Sequence, residues 1–280
     1  MRLDDDGDRS NVEDRRGSMM STAGLRLGLG GTLLLLALSV VFKHNMFSVV
    51  GNSRNWRPAG LSPERTQQRQ AAEEGLQKIA ILSFNDSQRV WAKALKGYRP
   101  AKLVLFWDET RSGCGSAGAA MGPFYCPVDE KVYIDLGFYR ELATRFRAPG
   151  QFAQAYVIAH EVGHHLQNLL GIEPKVRAAQ RRQPSRRNAL SVRMELQADC
   201  FAGVWGRTTA DRHRLDPGEI DQGLAAAAAV GDDRLQKAAT GRVHPETFTH
   251  GSAAQRVRWF RRGFESGQIR ECDTFRAASL

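Results

Sequence analysis

Residues 154–167 read QAYVIAHEVGHHLQ, which sets three histidines and one glutamate in an otherwise apolar run. Phe152, Tyr156, Ala159, Gly163 and Leu166 recur near helical spacing, APGQ opens the stretch and Gly171 can close it, so a helix is expected from Gln151 to Leu170. His160 and His164 are four residues apart and leave that helix on one face, one turn apart. Two imidazoles so placed can reach one tetrahedral zinc ion at roughly 2.0–2.1 Å each. Glu161 directly follows the first histidine, where an H-E-x-x-H helix carries a base rather than a ligand. His165 lies one position too far round to share the metal and is expected to be packed or hydrogen-bonded. Gly163 is small enough to admit a neighbouring segment. The competing reading is a metal-free helix with a polar stripe, so a third ligand decides.

The stretch SVRMELQADCFAGVW, residues 191–205, supplies a candidate. Glu195 and Asp199 are again one turn apart, among Val192, Leu196, Ala198, Phe201 and Ala202. Carboxylates in a buried helix are costly unless paired or bound to metal. Glu195 as the third metal ligand and Asp199 as the group that orients His160 resolve that cost, a ligand and its supporting acceptor. Two surface carboxylates on a charged face are the alternative, which suits this apolar context poorly.

H-E-x-x-H followed by E-x-x-x-D on a second helix resembles the gluzincin zinc peptidases, the thermolysin-like group. More narrowly, SGCGSA, GPFYCPVDEKVYIDLGFY, AHEVGHHLQ, RMELQADCFAGVW and FTHGSAAQRVRWFRRGF resemble the bacterial neutral zinc metallopeptidase family over about residues 110–270. The resemblance implies an α+β, zincin-like metallopeptidase domain with a small mixed sheet and active-site helices, and a zinc endopeptidase as the activity. Zn²⁺ would sit on His160, His164 and Glu195, with Asp199 and Arg256 supporting them and Glu161 as general base. It also implies that the strand at 131–136 is the sheet edge that takes substrate in extended form. Related membrane-bound zinc peptidases carry a late His-x(5)-Arg segment, which His250 and Arg256 fit. Both are therefore candidate oxyanion donors, beside a structural reading in which Arg256 pairs with a carboxylate and His250 caps a helix. Tyr133, Tyr139 and Tyr156 are lesser alternatives, and His244 is given no role.

The rest of the chain sets the surroundings. LGLGGTLLLLALSVVF, residues 27–42, is uncharged and apolar, and with its flanks is expected to be a transmembrane signal anchor over 25–43. Basic residues near it favour an N-terminus inside and a catalytic domain outside. The expected location is thus a bacterial cell membrane, single-pass, with an extracytoplasmic (in Gram-negative cells periplasmic) domain. Residues 1–24 read as a polar, structureless tail, 44–75 as a tether, and 76–280 as the metallopeptidase domain. Strands are expected at 101–108 and 131–136, and the Gly- and Pro-rich stretch between them as a loop. Four cysteines fit an oxidising space. Parity and compartment suggest Cys114–Cys126 and Cys200–Cys272, with unpaired thiols left open.

A net charge of +10 fits an anionic partner, but no folded nucleic-acid motif accompanies it, so none is expected. Seven basic residues and no acid lie in KVRAAQRRQPSRRNALSVR, residues 175–193, either a solvated connector or a surface for anionic headgroups or an acidic substrate. The expected partners are a peptide or protein substrate and, through 25–43, the membrane. Two other functional classes remain open, a catalytically silent zincin-fold scaffold and a metal-independent basic binding module.

Overall fold

The computed structural model describes residues 1–4, 8–17 and 62–280. The chain divides into two compact units, Met1–Arg16 with Ala71–Leu280, and Gly17–Gln70. The whole of the apolar stretch, residues 25–43, and residues 44–61 of the tether lie outside the described residues. No helix among the described residues is long and apolar enough to cross a membrane.

A four-stranded mixed sheet organises one side of the first unit. Its strands are β1 (Val12–Asp14), β2 (Lys102–Phe106), β5 (Phe124–Cys126) and β6 (Lys131–Asp135), in the order β1-β2-β6-β5. β1 and β6 run parallel to β2, with Leu103 opposite Val132 and Leu105 opposite Ile134, while β5 runs antiparallel to β6. The strand expected at 131–136 is present as β6, and its side chains alternate. Val132, Ile134 and Leu136 join the main core, and Tyr133 packs with Val104, Phe106 and Cys126 on the other face.

Four expectations need correction. β6 is interior, because hydrogen bonding to both β2 and β5 consumes its two edges; the outer strands are β1 and β5, and β5 is the one against the helix that carries His160 and His164. The stretch expected as one loop contains β5 and a separate hairpin of β3 (Glu109–Ser112) and β4 (Gly115–Gly118). The N-terminal segment is not a structureless tail where it is described: it supplies β1, whose polar composition hides its pairing. Buried Arg16 anchors it, contacting Asp14 at 2.7 Å and Glu73 at 3.4 Å, while Trp107 Nε1 donates to Glu73 at 2.8 Å. Glu73 is thus part of the domain rather than of a tether. The tether region also contains α1 (Pro63–Ala72).

Nine α-helices occur among the described residues. After α1, α2 (Glu74–Ala94) buries almost every residue from Ala80 to Trp91, including Phe84 and Trp91. α3 (Gly137–Thr144) follows β6 and leads to α4 (Gln151–Leu169), which carries the H-E-x-x-H residues and lies within one residue of its expected bounds. Gly171, with φ 68°, follows its end, as a left-handed C-terminal position requires. α5 (Ile172–Arg182) leads into α6 (Arg187–Asp211), which carries Glu195 and Asp199; α7 (Glu219–Ala229), α8 (Asp232–Thr240) and α9 (Ala253–Ser266) complete the set.

Small residues let these helices approach at backbone distance. A Cβ on Gly163 of α4 would lie 3.0 Å from the Ala198 carbonyl of α6. One on Gly263 of α9 would lie 1.9 Å from the Cys200 carbonyl, inside van der Waals contact. Asp199 thereby stands between α4 and α9. Both expected disulfides are present: Cys114–Cys126 ties the hairpin turn to β5, and Cys200–Cys272 ties the C-terminal segment to α6 beside Asp199.

Candidate metal centre

α4 and α6 bring His160, His164 and Glu195 together, and one ligand atom of each lies within 4.8 Å of the others. Glu195 Oε2 is 3.1 Å from His160 Nε2, and Oε1 is 3.5 Å from His164 Nε2. Two ligands at roughly 2.0–2.1 Å from a tetrahedral ion stand about 3.4 Å apart, so the donor set and its spacing fit zinc. Two neutral imidazoles and one carboxylate also form a three-ligand set that leaves a fourth position free.

The charges of these groups are complementary. Burial would lift the Glu195 carboxyl, but His164 and His160 outweigh it and hold its pKa well below the usual range. Burial would lower the pKa of His160, yet Asp199 and Glu195 raise it to about 10. Metal binding and protonation therefore compete for the same imidazoles.

Each ligand histidine is oriented from behind. His160 Nδ1 lies 2.9 Å from Asp199 Oδ1. Asp199 is fully buried and also accepts from Tyr156 OH at 2.5 Å, Arg256 Nε at 2.8 Å and Arg256 Nη2 at 2.9 Å. Burial would raise its pKa, but Arg256 and His160 prevail, so it remains a carboxylate. His164 Nδ1 instead meets Gln167 Oε1 at 2.8 Å, and Gln167 Nε2 donates to the Met194 carbonyl at 2.7 Å. Gln167 escaped the sequence reading, although its spacing of three from His164 places it on the same helix face.

Glu161 is buried, lines the same cavity as the three ligands, and its carboxylate makes no hydrogen bond to another described residue. His165 takes the structural part expected of it. Its Nε2 meets the Arg99 carbonyl at 2.7 Å and its Nδ1 meets Tyr125 OH at 2.9 Å. Because Tyr125 belongs to β5, His165 fastens the sheet edge to the ligand helix.

The late His-Arg pair separates. Arg256 is buried and committed to Asp199 and Tyr156, the latter at 3.1 Å, so it supports His160 and is withdrawn as an oxyanion donor. His250 lines the cavity, with Nδ1 3.1 Å from Asp232 Oδ1. Asp232 Oδ2 also accepts from the backbone N–H groups of Thr249, His250 and Gly251. The Asp232 hydrogen bond raises the His250 pKa above its ordinary value. Tyr156 is committed to Asp199, Tyr133 donates to Asp129 at 2.6 Å, and Tyr139 is buried in the core.

An α+β domain with a small mixed sheet and a His/His/Glu centre on two adjoining helices fits the zincin-like class. Within that class, the chain belongs to the family described as "Putative neutral zinc metallopeptidase", which matches residues 1–275. It is similar to the uncharacterized protein YpfJ of Escherichia coli (strain K12), 44% identical over 281 residues and 95% of each chain. It is also similar to the uncharacterized protein Rv2575 of Mycobacterium tuberculosis (strain H37Rv), 45% identical over 220 residues, covering 75% of this chain and 74% of that one. No solved structure matches.

Proposed function

We propose that the protein is a zinc-dependent endopeptidase, with His160, His164 and Glu195 holding the ion and Glu161 as general base. The observation that carries this reading is an uncommitted buried carboxylate beside a three-ligand centre, in one cavity. Bound zinc would supply the Lewis acidity that makes water a nucleophile near neutral pH and polarises a peptide carbonyl. Glu161 then accepts the proton of the attacking water and passes it to the leaving amine. Asp199 and Gln167 hold the two imidazoles with Nε2 free for the metal. Asp232 raises the pKa of His250, and the protonated imidazole, bonded to Asp232 through Nδ1, has an Nε2–H to donate to the oxyanion that develops on the carbonyl. Phe124, Tyr125 and their neighbours line the cavity, so the free edge of β5 is the natural strand for an extended peptide.

The test is cleavage of an unfolded protein by the zinc-loaded full chain against Glu161→Gln at equal zinc content. Cleavage lost in the variant alone supports Glu161 as base. Equal cleavage by both refutes it, and no cleavage by either at full zinc content favours a scaffold that binds metal without proteolysis.

Membrane attachment through residues 25–43 remains part of the proposal, with one constraint from β1. Hydrogen bonding of Val12–Asp14 to Leu103–Leu105 requires both segments on one side of any bilayer. A single crossing between them would separate the two strands. The attachment proposed is therefore one that leaves both flanks on the same side.

A further inference from the structure

The cavity that holds the three metal-binding side chains has a volume of about 1180 Å³, and an unusual share of its lining is arginine. Two of these arginines are neutralised locally: Arg177 Nε is 2.6 Å from Glu173, and Arg145 Nη1 is 3.5 Å from Glu141. Arg147, Arg181, Arg187 and Arg234 also line the cavity, are exposed, and have no carboxylate partner among the described residues. They come from four places, the turn before α4, the end of α5, the start of α6, and α8. Arg181 and Arg187 belong to the basic run whose plainer reading from sequence is a solvated connector.

Nothing deeper in the cavity offsets this charge. The carboxylates Glu161 and Glu195 would be balanced by a divalent ion held at the centre, and Arg256 is matched by Asp199. The four unmatched cations therefore surround the approach to the centre, where a focused positive potential raises the local concentration of anions. Between them lie apolar side chains, including Met121, Phe138, Val176 and Leu235.

Building on the peptidase reading, we propose that the substrate is an acidic peptide, with aspartate or glutamate side chains flanking the scissile bond and meeting Arg147, Arg181, Arg187 and Arg234. Apolar side chains nearer the bond occupy the intervening surface. Bidentate guanidinium–carboxylate pairing supplies the recognition. Being exposed, each contact is worth only a few-fold in affinity, and two or three together give roughly tenfold. The preference weakens as salt shortens the screening length.

The test separates binding from catalysis. Full-length Glu161→Gln protein, zinc-loaded and in detergent, is titrated with fluorescent peptides of one apolar sequence flanked by Glu, Gln or Lys. The Glu peptide is expected to bind roughly tenfold more tightly than the Gln peptide at low salt, with most of that advantage lost near 0.5 M NaCl. Arg181→Gln combined with Arg234→Gln should lower affinity for the Glu peptide and leave the Gln peptide unchanged; both positions are exposed, so folding is not at issue. Equal affinity for the three peptides overturns the proposal. So does tight binding of phosphatidylglycerol vesicles through the same arginines without any peptide preference, which would make the rim a lipid surface. Wild-type cleavage of all three peptides at one rate leaves the peptidase reading standing and removes this one. Charge-dependent binding with no wild-type cleavage of any peptide keeps acidic-peptide recognition and removes the peptidase reading.

Discussion

Replacing Asp199 by asparagine probes the most heavily used group at the centre. Its Oδ1 accepts from His160 Nδ1, Tyr156 OH and Arg256 Nη2, and its Oδ2 from Arg256 Nε. An asparagine can present its oxygen to the first three, but its NH₂ then faces a guanidinium donor. Arg256 stays buried and charged without a counter-ion, a change that costs about 3–5 kcal/mol. For a domain of this size that lowers the melting temperature by about 6–20 °C. The weaker acceptor behind His160 should also reduce zinc affinity by about 10- to 100-fold. Differential scanning calorimetry measures the first effect, and competition with a chromophoric zinc chelator the second. Adding Arg256→Met to Asp199→Asn removes the stranded charge and should restore most of the melting temperature while leaving zinc affinity low. The reasoning fails if Asp199→Asn melts within about 2 °C of wild type and holds zinc within about twofold.

Gly263→Ala drives a methyl group into the Cys200 carbonyl and should destabilise the protein by at least about 1–3 kcal/mol in urea unfolding. Zinc affinity should fall with it, because Cys200 adjoins Asp199. Replacing Cys200 and Cys272 by alanine opens a 72-residue closure and should lower the unfolding free energy by about 4 kcal/mol on chain entropy, read from the urea midpoint. The raised pKa of His250 contributes stability that is fully present below about 6.5 and is lost as pH rises through the higher folded value. His250→Asn should therefore cost stability at pH 6 and little well above that folded value, by about 0.2–1 kcal/mol because the imidazole is half exposed. All native cysteines are in disulfides, so Ser10→Cys and Ser279→Cys are unique labels. In intact cells both should react, or both be protected, with a membrane-impermeant maleimide; opposite accessibility would refute β1–β2 pairing in the attached chain.

The sequence reached the metal centre more fully than the sheet, and the reason is spacing. A four-residue interval fixes a helical face, so His160 with His164 and Glu195 with Asp199 are readable without coordinates. The same rule would have found Gln167, had a neutral amide been weighed as an orienting group beside a carboxylate. β5 was hidden because its three residues, Phe124–Cys126, set between Gly122-Pro123 and Pro127, give no alternation to count, and β1 because VED is polar. Both strands are held by partners distant in the chain, β5 by β6 and the Cys114 disulfide, β1 by β2 and the Arg16–Glu73 contact. The supporting part of Arg256 was legible as one of two readings, but the choice between them was not. It depends on α9 approaching α6 closely enough at Gly263 for Arg256 to reach Asp199.

The two orienting groups differ in a way that bears on reactivity. Asp199 carries a charge and Gln167 none, yet the support around the ligands is neutral because Arg256 cancels Asp199. A divalent ion on two neutral imidazoles and Glu195 then keeps a formal charge of +1. A closed structural site would satisfy that charge with a fourth protein ligand. Among the described residues the three-residue group is the only one of its kind, and the neighbouring Glu161 is one residue removed from a ligand position on the helix. With such an ion bound, the residual charge would face the cavity that Glu161 also lines, an arrangement that suits the hydrolytic reading proposed above better than a closed structural site.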